Sequence, residues 1–264
     1  MRLFSIWLFL ISFSSQASSA ELPNTLRLAT TDWCPYACSK DHDQPGIVHE
    51  YLEAILSKQQ VELLVQSFPW SRAIALAKNS TDFDGLLTAS PSEAKGLLLT
   101  AVPIATYQIC FFVRDDETWR YQSPISLTYL DGLLGYFADY GYGDPIETFL
   151  KDPETRQSRL EVTGKTDPLR LVTLLKAGRI KTFVEDINII KWQLRGNDNE
   201  KGASASSQVK TAGCLEPQPF YLALNPNAVG AQEMLEHLSR EFSKPENQKL
   251  FRQISEKYVG SNLF

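Results

Sequence analysis

The sequence predicts an α/β protein of two lobes, each a mostly parallel sheet flanked by helices, joined by a two-strand hinge. Three observations carry this expectation. Apolar residues switch repeatedly between a period of two and helical spacing. That rhythm restarts after Arg114. A last strand and two amphipathic helices close the chain, and if these return to the first unit the chain crosses twice. Two lobes on a double connector make a hinge with a cleft.

In order, Leu26 and Leu28 alternate with Arg27 and Ala29 as a strand, and Asp32 to Gln44 is a polar loop. Val48, Tyr51, Leu52, Ile55 and Leu56 recur at helical spacing; Val61, Leu63 and Val65 restore the period of two. A helix is expected from Trp70 to Lys78 and a buried strand over Gly85–Thr88. Residues 96–113 carry no formal charge, but Pro103 and Thr100, Thr106 and Gln108 interrupt them, so two strands around a loop are expected, not a membrane span. In the second unit, Leu133–Phe137, Leu160–Val162 and Thr182–Val184 read as strands. Helices follow from Asp144 with Pro145 in the first turn, from Asp167 as cap with Pro168, and from Asp186 to Arg195. Residues 196–211, rich in Gly, Asn, Ser and Lys, read as a mobile loop. Strands near Tyr107–Arg114 and Pro219–Leu224 are the natural connectors, which divides the chain into 21–112, 113–217 and 218–264.

Arg2, the apolar run Leu3–Phe13 and Ser18-Ser19-Ala20 have the form of a signal peptide, cut after Ala20, and place the protein in the periplasm. A net charge of −5 argues against a nucleic-acid surface. Four cysteines in an exported chain suggest disulfides. Cys34 and Cys38 would close a small loop; Cys110 and Cys214 are either a second bridge or two buried thiols.

Several segments then carry a resemblance. Trp33-Cys34-Pro35-Tyr36 follows the first strand, Gly46-x-x-x-Glu50 opens the first helix, and Pro69-Trp70-Ser71-Arg72-Ala73 stands before the third strand. Gly178-Arg179-Ile180 precedes a strand ending at Asp186, and Phe220–Leu224 leads into the last helices. In order and spacing the mature chain resembles, nearly end to end, the family 3 periplasmic solute-binding proteins. The resemblance implies the type II periplasmic binding fold and delivery of an amino acid or similar ligand to the permease of an ABC importer. It implies an aromatic on the ligand at Trp33 or Tyr36 and a carboxylate on its ammonium at Asp186. Many relatives place a carboxylate-clamping Arg after the third strand. Here that stretch is Thr88-Ala89-Ser90-Pro91-Ser92-Glu93-Ala94-Lys95, so the clamp is lost or is replaced by Lys95 or Arg72. Ala138-Asp139 also stands where a subgroup has Arg-Gly, before Tyr140-Gly141-Tyr142-Gly143.

Residue chemistry alone adds its own readings. Ligands of open α/β sheets bind beyond the carboxyl ends of strands. Asp186 there can bind an ammonium or cap a helix. Trp33, Tyr36 and Trp70 can wall a cleft or pack a core. Tyr140 and Tyr142 flank a turn able to aim N–H groups at an anion, and Thr88 and Ser90 offer hydroxyls. Arg72, in a first helical turn, needs an anion, with Glu50 or Asp84 as structural partners. Asp41-His42-Asp43 lacks a second histidine at ligand spacing, so it reads as a solvated loop, and neither metal nor cofactor is expected. No nucleophile elbow, zinc-protease or phosphate-loop motif occurs. A monomeric binding protein is therefore expected, with a dehydratase-like cleft enzyme and a sensory module for a separate receptor as the alternatives.

Overall fold

The computed structural model describes residues 22–40, 42–138, 140–163, 167–201 and 208–260, and of 196–201 the backbone only. The expected signal peptide lies outside the described residues. The first lobe opens with β1 (Thr25–Thr30), α1 (Ile47–Leu56), β2 (Glu62–Ser67), α2 (Trp70–Asn79) and β3 (Gly85–Ala89), followed by the short β4 (Leu98–Leu99) and β5 (Ala105–Tyr107). The second holds β6 (Ile109–Arg114), β7 (Leu134–Phe137), α3 (Ile146–Lys151), β8 (Arg159–Val162), α4 (Pro168–Lys176), β9 (Thr182–Asp186), α5 (Ile187–Lys201) and β10 (Val209–Cys214). The chain then returns through β11 (Gln218–Leu224) to α6 (Ala231–Ser243) and α7 (Pro245–Val259).

One sheet has the order β2-β1-β3-β11-β4, with β5 also on β11; the other runs β10-β6-β9-β7-β8. Both are mixed, where mostly parallel sheets were expected. β1 is parallel to β2 and β3, and β7 to β8 and β9. By contrast β11 is antiparallel to β3, β4 and β5, and β6 to β9 and β10. The cause is the double crossing. A strand that comes straight from the other lobe enters its sheet at the hinge end, opposite to strands fed by helices. The first crossing falls at Gln108, between β5 and β6, so β6 belongs to the second sheet although residues up to 112 were assigned to the first lobe.

Each sheet is buried on both faces, and strand alternation assigns the faces. In β6, Ile109, Phe111 and Val113 pack with Leu134, Tyr142 and Ile146; Cys110 and Phe112 pack with Leu171, Leu175, Phe183 and Ile190. In the first lobe Leu28, Val48, Leu52 and Leu222 share a core with Met234, Leu238 and Tyr258, so the last helices do return to the first unit. The opposite face is thin and alanine-rich: Ala29, Leu86 and Ala223 lie against Ala73 and Ala77 of α2. Close packing shows at Gly85, where an added methyl would sit 1.9 Å from the Ala223 carbonyl oxygen. Gly85→Ala is expected to wedge β3 from β11 and cost about 1–3 kcal/mol, read from the midpoint of a urea melt; an unshifted midpoint would mean that the strand gives way freely.

Local differences from expectation have local causes. Residues 96–113 form three strands, not two, because β4 and β5 both hydrogen-bond to β11. α5 continues to Lys201, and Val209–Thr211 join β10, within the stretch expected to be a loop; residues 202–207 lie outside the described residues. Among the described residues no helix is long and apolar enough to cross a membrane. Both disulfides form. Cys34–Cys38 (Cα–Cα 4.8 Å) closes the loop before α1, and Cys110–Cys214 (Cα–Cα 3.9 Å) ties β6 to β10.

Candidate functional site

Between the sheets lies a cleft of about 1070 Å³. The ends of β1 and β3 and the start of β11 open onto it from the first lobe, and the end of β9 with the turn before α3 from the second. This is where strand carboxyl ends meet helix amino ends. Trp33, Trp70, Thr88 and Ser90 line it from the first lobe; Tyr140, Tyr142 and Asp186 line it from the second. Seven of the ten residues expected from sequence are thus brought together.

The other three are placed elsewhere. Tyr36 is 1% exposed and does not line the cleft. Its backbone carbonyl accepts from Val48 N–H, its ring packs on Phe220 at 5.3 Å, and its hydroxyl runs across the crossing to Asp186. Arg72 is exposed, with its guanidinium 5.3 Å from the Phe68 ring centre. Its expected partners are engaged otherwise: Glu50 accepts from Lys257 and the Tyr258 hydroxyl, and Asp84 from the Arg27 N–H. Lys95 follows the buried Ala94 in a turn and points to solvent.

Asp186 ends β9 and caps α5. Its Oδ1 accepts from the N–H groups of Asn188 (2.8 Å) and Ile189 (3.0 Å), its Oδ2 from Gln108 N–H (2.8 Å), and both from Tyr36 Oη (3.1 Å). Asn188 Nδ2 also donates to Tyr36 Oη at 2.9 Å. The carboxylate is therefore occupied by the helix start, the first crossing and the other lobe.

Two acids that the sequence did not place among the expected ligand residues complete the floor and the lip. Glu185 lines the cleft and is 1% exposed. Its Oε1 accepts from Asp186 N–H at 2.8 Å, and its Oε2 has no partner among the described residues. Burial pushes the Glu185 carboxyl up to about 8, with the Asp186 charge adding to the rise; burial also raises Asp186, to about 6, against its four donors. Burial raises the phenols of Tyr140 and Tyr142, with Glu185 beside them adding to it. On the lip, Glu93 Oε1 accepts from Trp70 Nε1 (2.8 Å), and its Oε2 from Ser90 N–H (2.9 Å) and Ser90 Oγ (2.7 Å). The Ser90-x-x-Glu93 spacing was a legible signal for a glutamate reaching back to the Ser90 N–H at the start of a turn. For Glu185 the signal was an acid, paired with Asp186, directly after the apolar residues Phe183-Val184.

A pH dependence follows. The folded chain holds protons on Glu185 and Asp186 that the unfolded chain releases above its ordinary carboxyl range, near 4.5 for Glu. Stability therefore falls as pH rises from about 5 to 8. Tyr140, Tyr142 and Asp186 face Glu185 and do not supply the missing positive charge. The melting temperature of the unliganded protein should fall across that window, and Glu185→Gln should flatten the fall. A wild-type melt flat between pH 5 and 8 would contradict it.

At the cleft mouth His42 Nε2 lies 3.6 Å from Asp32 Oδ2, with Cys34 nearby. The Cys34 sulfur is spent in its bridge to Cys38, which leaves an exposed His–Asp contact. Asp41 lies outside the described residues.

No protein-family model matches the sequence, and no curated protein matches it. Solved structures do. The second substrate-binding domain of GlnP from Lactococcus lactis, in open conformation, matches with a TM-score of 0.64 at 17% identity, covering 91% of this chain and 97% of that one. An ancestral arginine-binding protein bound to arginine matches at 0.63 and 17%, covering 90% and 100%. An ancestral amino-acid-binding protein described as a precursor of cyclohexadienyl dehydratase matches at 0.59 and 17%, covering 89% and 95%. The chain therefore has the two-lobed, hinge-connected fold of these solute-binding domains.

Proposed function

We propose that this protein is an exported, periplasmic solute-binding protein that captures a small polar molecule, about the size of an amino acid, between its lobes. The supporting observation is the aromatic and polar cleft at the strand ends, spanned by a chain that crosses it twice. Trp33 and Trp70 on one lobe and Tyr140 and Tyr142 on the other would close on the ligand, with Thr88 supplying a hydroxyl. Contacts made to both lobes favour the closed form over the open one. The closed form is what a membrane permease of an ABC importer would recognise. The protein acts as a monomer, without cofactor. The matched amino-acid-binding and substrate-binding domains support this reading.

A melting screen over amino acids, amines and small acids tests it. A ligand at 100 times its Kd adds about 2.7 kcal/mol, which raises the melting temperature of a chain this long by roughly 5–10 °C. A screen in which no small solute moves the melt would remove the proposal.

One observation favours a second reading. Glu185 is a buried acid poised to hold a proton in the cleft, which an elimination enzyme on this scaffold requires. Product formation from a cyclic hydroxy acid, lost in Glu185→Gln, would favour it over binding alone.

A further inference from the structure

The charge of the cleft is one-sided. Six acids line it, namely Asp32, Glu93, Glu147, Asp167, Glu185 and Asp186, and among the described residues no lysine or arginine does. Acids on a surface are common and by themselves mean little, but two of these are unusual. Glu185 is buried with Oε2 unpartnered on the cleft floor, beside Tyr140 and Tyr142. A buried polar atom without a partner is costly, and a ligand that supplies a donor removes that cost.

Glu93 carries the other half of the argument. A ligand carboxylate in this cleft would need donors, and the first lobe offers them at Ser90 N–H, Ser90 Oγ and Trp70 Nε1. All three already point at the Glu93 carboxylate, at 2.9, 2.7 and 2.8 Å. The protein has placed its own anion where a ligand anion would bind, so a second carboxylate meets repulsion there. Asp186 is likewise filled by protein donors and takes no part.

We propose that the cleft takes an organic cation that lacks a carboxylate, an amine or guanidinium compound. On binding, Glu185 gives up the proton it holds in the unliganded protein to solvent, the ligand's charged nitrogen donates to its Oε2, and the ring faces of Trp33 and Tyr140 flank the positive end. This deepens the solute-binding reading and rests on it.

Two matched pairs of probes test it: agmatine against arginine, and cadaverine against lysine. Within each pair the molecules differ only by the α-carboxylate. Titration calorimetry at pH 7 should show the amine binding at least about tenfold more tightly than its amino acid in both pairs. Glu185→Gln should weaken agmatine by about tenfold or more while its melting temperature stays at or above that of wild type. Glu93→Gln, which removes the anion at the lip, should narrow the agmatine-to-arginine ratio. Arginine and lysine binding as tightly as their amines would overturn the proposal and leave solute binding intact. So would silence from all four probes if a neutral or acidic solute raises the melt. If no solute of any charge does so, solute binding falls with it.

Discussion

Asp186→Ala is expected to destabilise the protein by about 3–5 kcal/mol, the largest single-residue effect anticipated here. The change removes the cap of α5, where Asn188 and Ile189 N–H groups end on Oδ1. It also strands Gln108 N–H at the first crossing and leaves the buried Tyr36 hydroxyl only the longer 3.4 Å bond to the Thr106 carbonyl. Each buried donor left without an acceptor costs about 1–3 kcal/mol. Tyr36→Phe removes one donor and leaves the carboxylate its three amides, so it should cost only about 1 kcal/mol. Urea melts of the two variants give the comparison. Equal and small losses would mean that Asp186 is not the joint between β9, the crossing and Tyr36.

Removing the Cys110–Cys214 bridge should be comparably damaging. The two residues are 104 apart in sequence and close a loop holding nearly the whole second lobe. Restricting so long a loop in the unfolded chain stabilises by about 4–5 kcal/mol. Cys110→Ser with Cys214→Ser should therefore lower the melting temperature by roughly 10 °C. The Cys34–Cys38 loop, with a separation of 4, should yield about half that energy when removed. Equal losses from the two double variants would contradict the loop-length account.

Much of the architecture could be read from residue order. The apolar periods placed nine of the eleven strands and all seven helices to within a few residues, missing β10 and one of the short strands β4 and β5, because burial on both faces leaves little freedom in β6 or β9. What could not be read was strand direction. The antiparallel entries of β6 and β11 follow from where the chain crosses, and the crossing at Gln108 has no local signature. Helix α5 outlasted its expected end because helical hydrogen bonds do not need an apolar stripe, and the Gly, Asn and Asp of residues 196–200 only weaken it.

The site was legible in outline only. Aromatics after strand ends reached the cleft at Trp33 and Trp70, yet Tyr36 turned inward, because the Trp33–Ala37 turn seats its carbonyl on α1. Asp186 was expected either to meet an ammonium or to cap a helix; the donors around it show the cap. Alternation along β9 would send Glu185 and Asp186 to opposite faces. Both nevertheless reach the cleft, since β9 ends there. Arg72 and Lys95 were weighed as replacement clamps on sequence position. Their exposure follows from Ala73 and Ala94 beside them, which take the buried places.

Small-angle scattering of the mature chain, with and without a saturating solute that raises its melting temperature, is the most direct measurement of lobe closure. The radius of gyration should fall on saturation, as the roughly 1070 Å³ gap shuts around its guest. A solute that binds fully while the scattering curve stays unchanged would contradict the account.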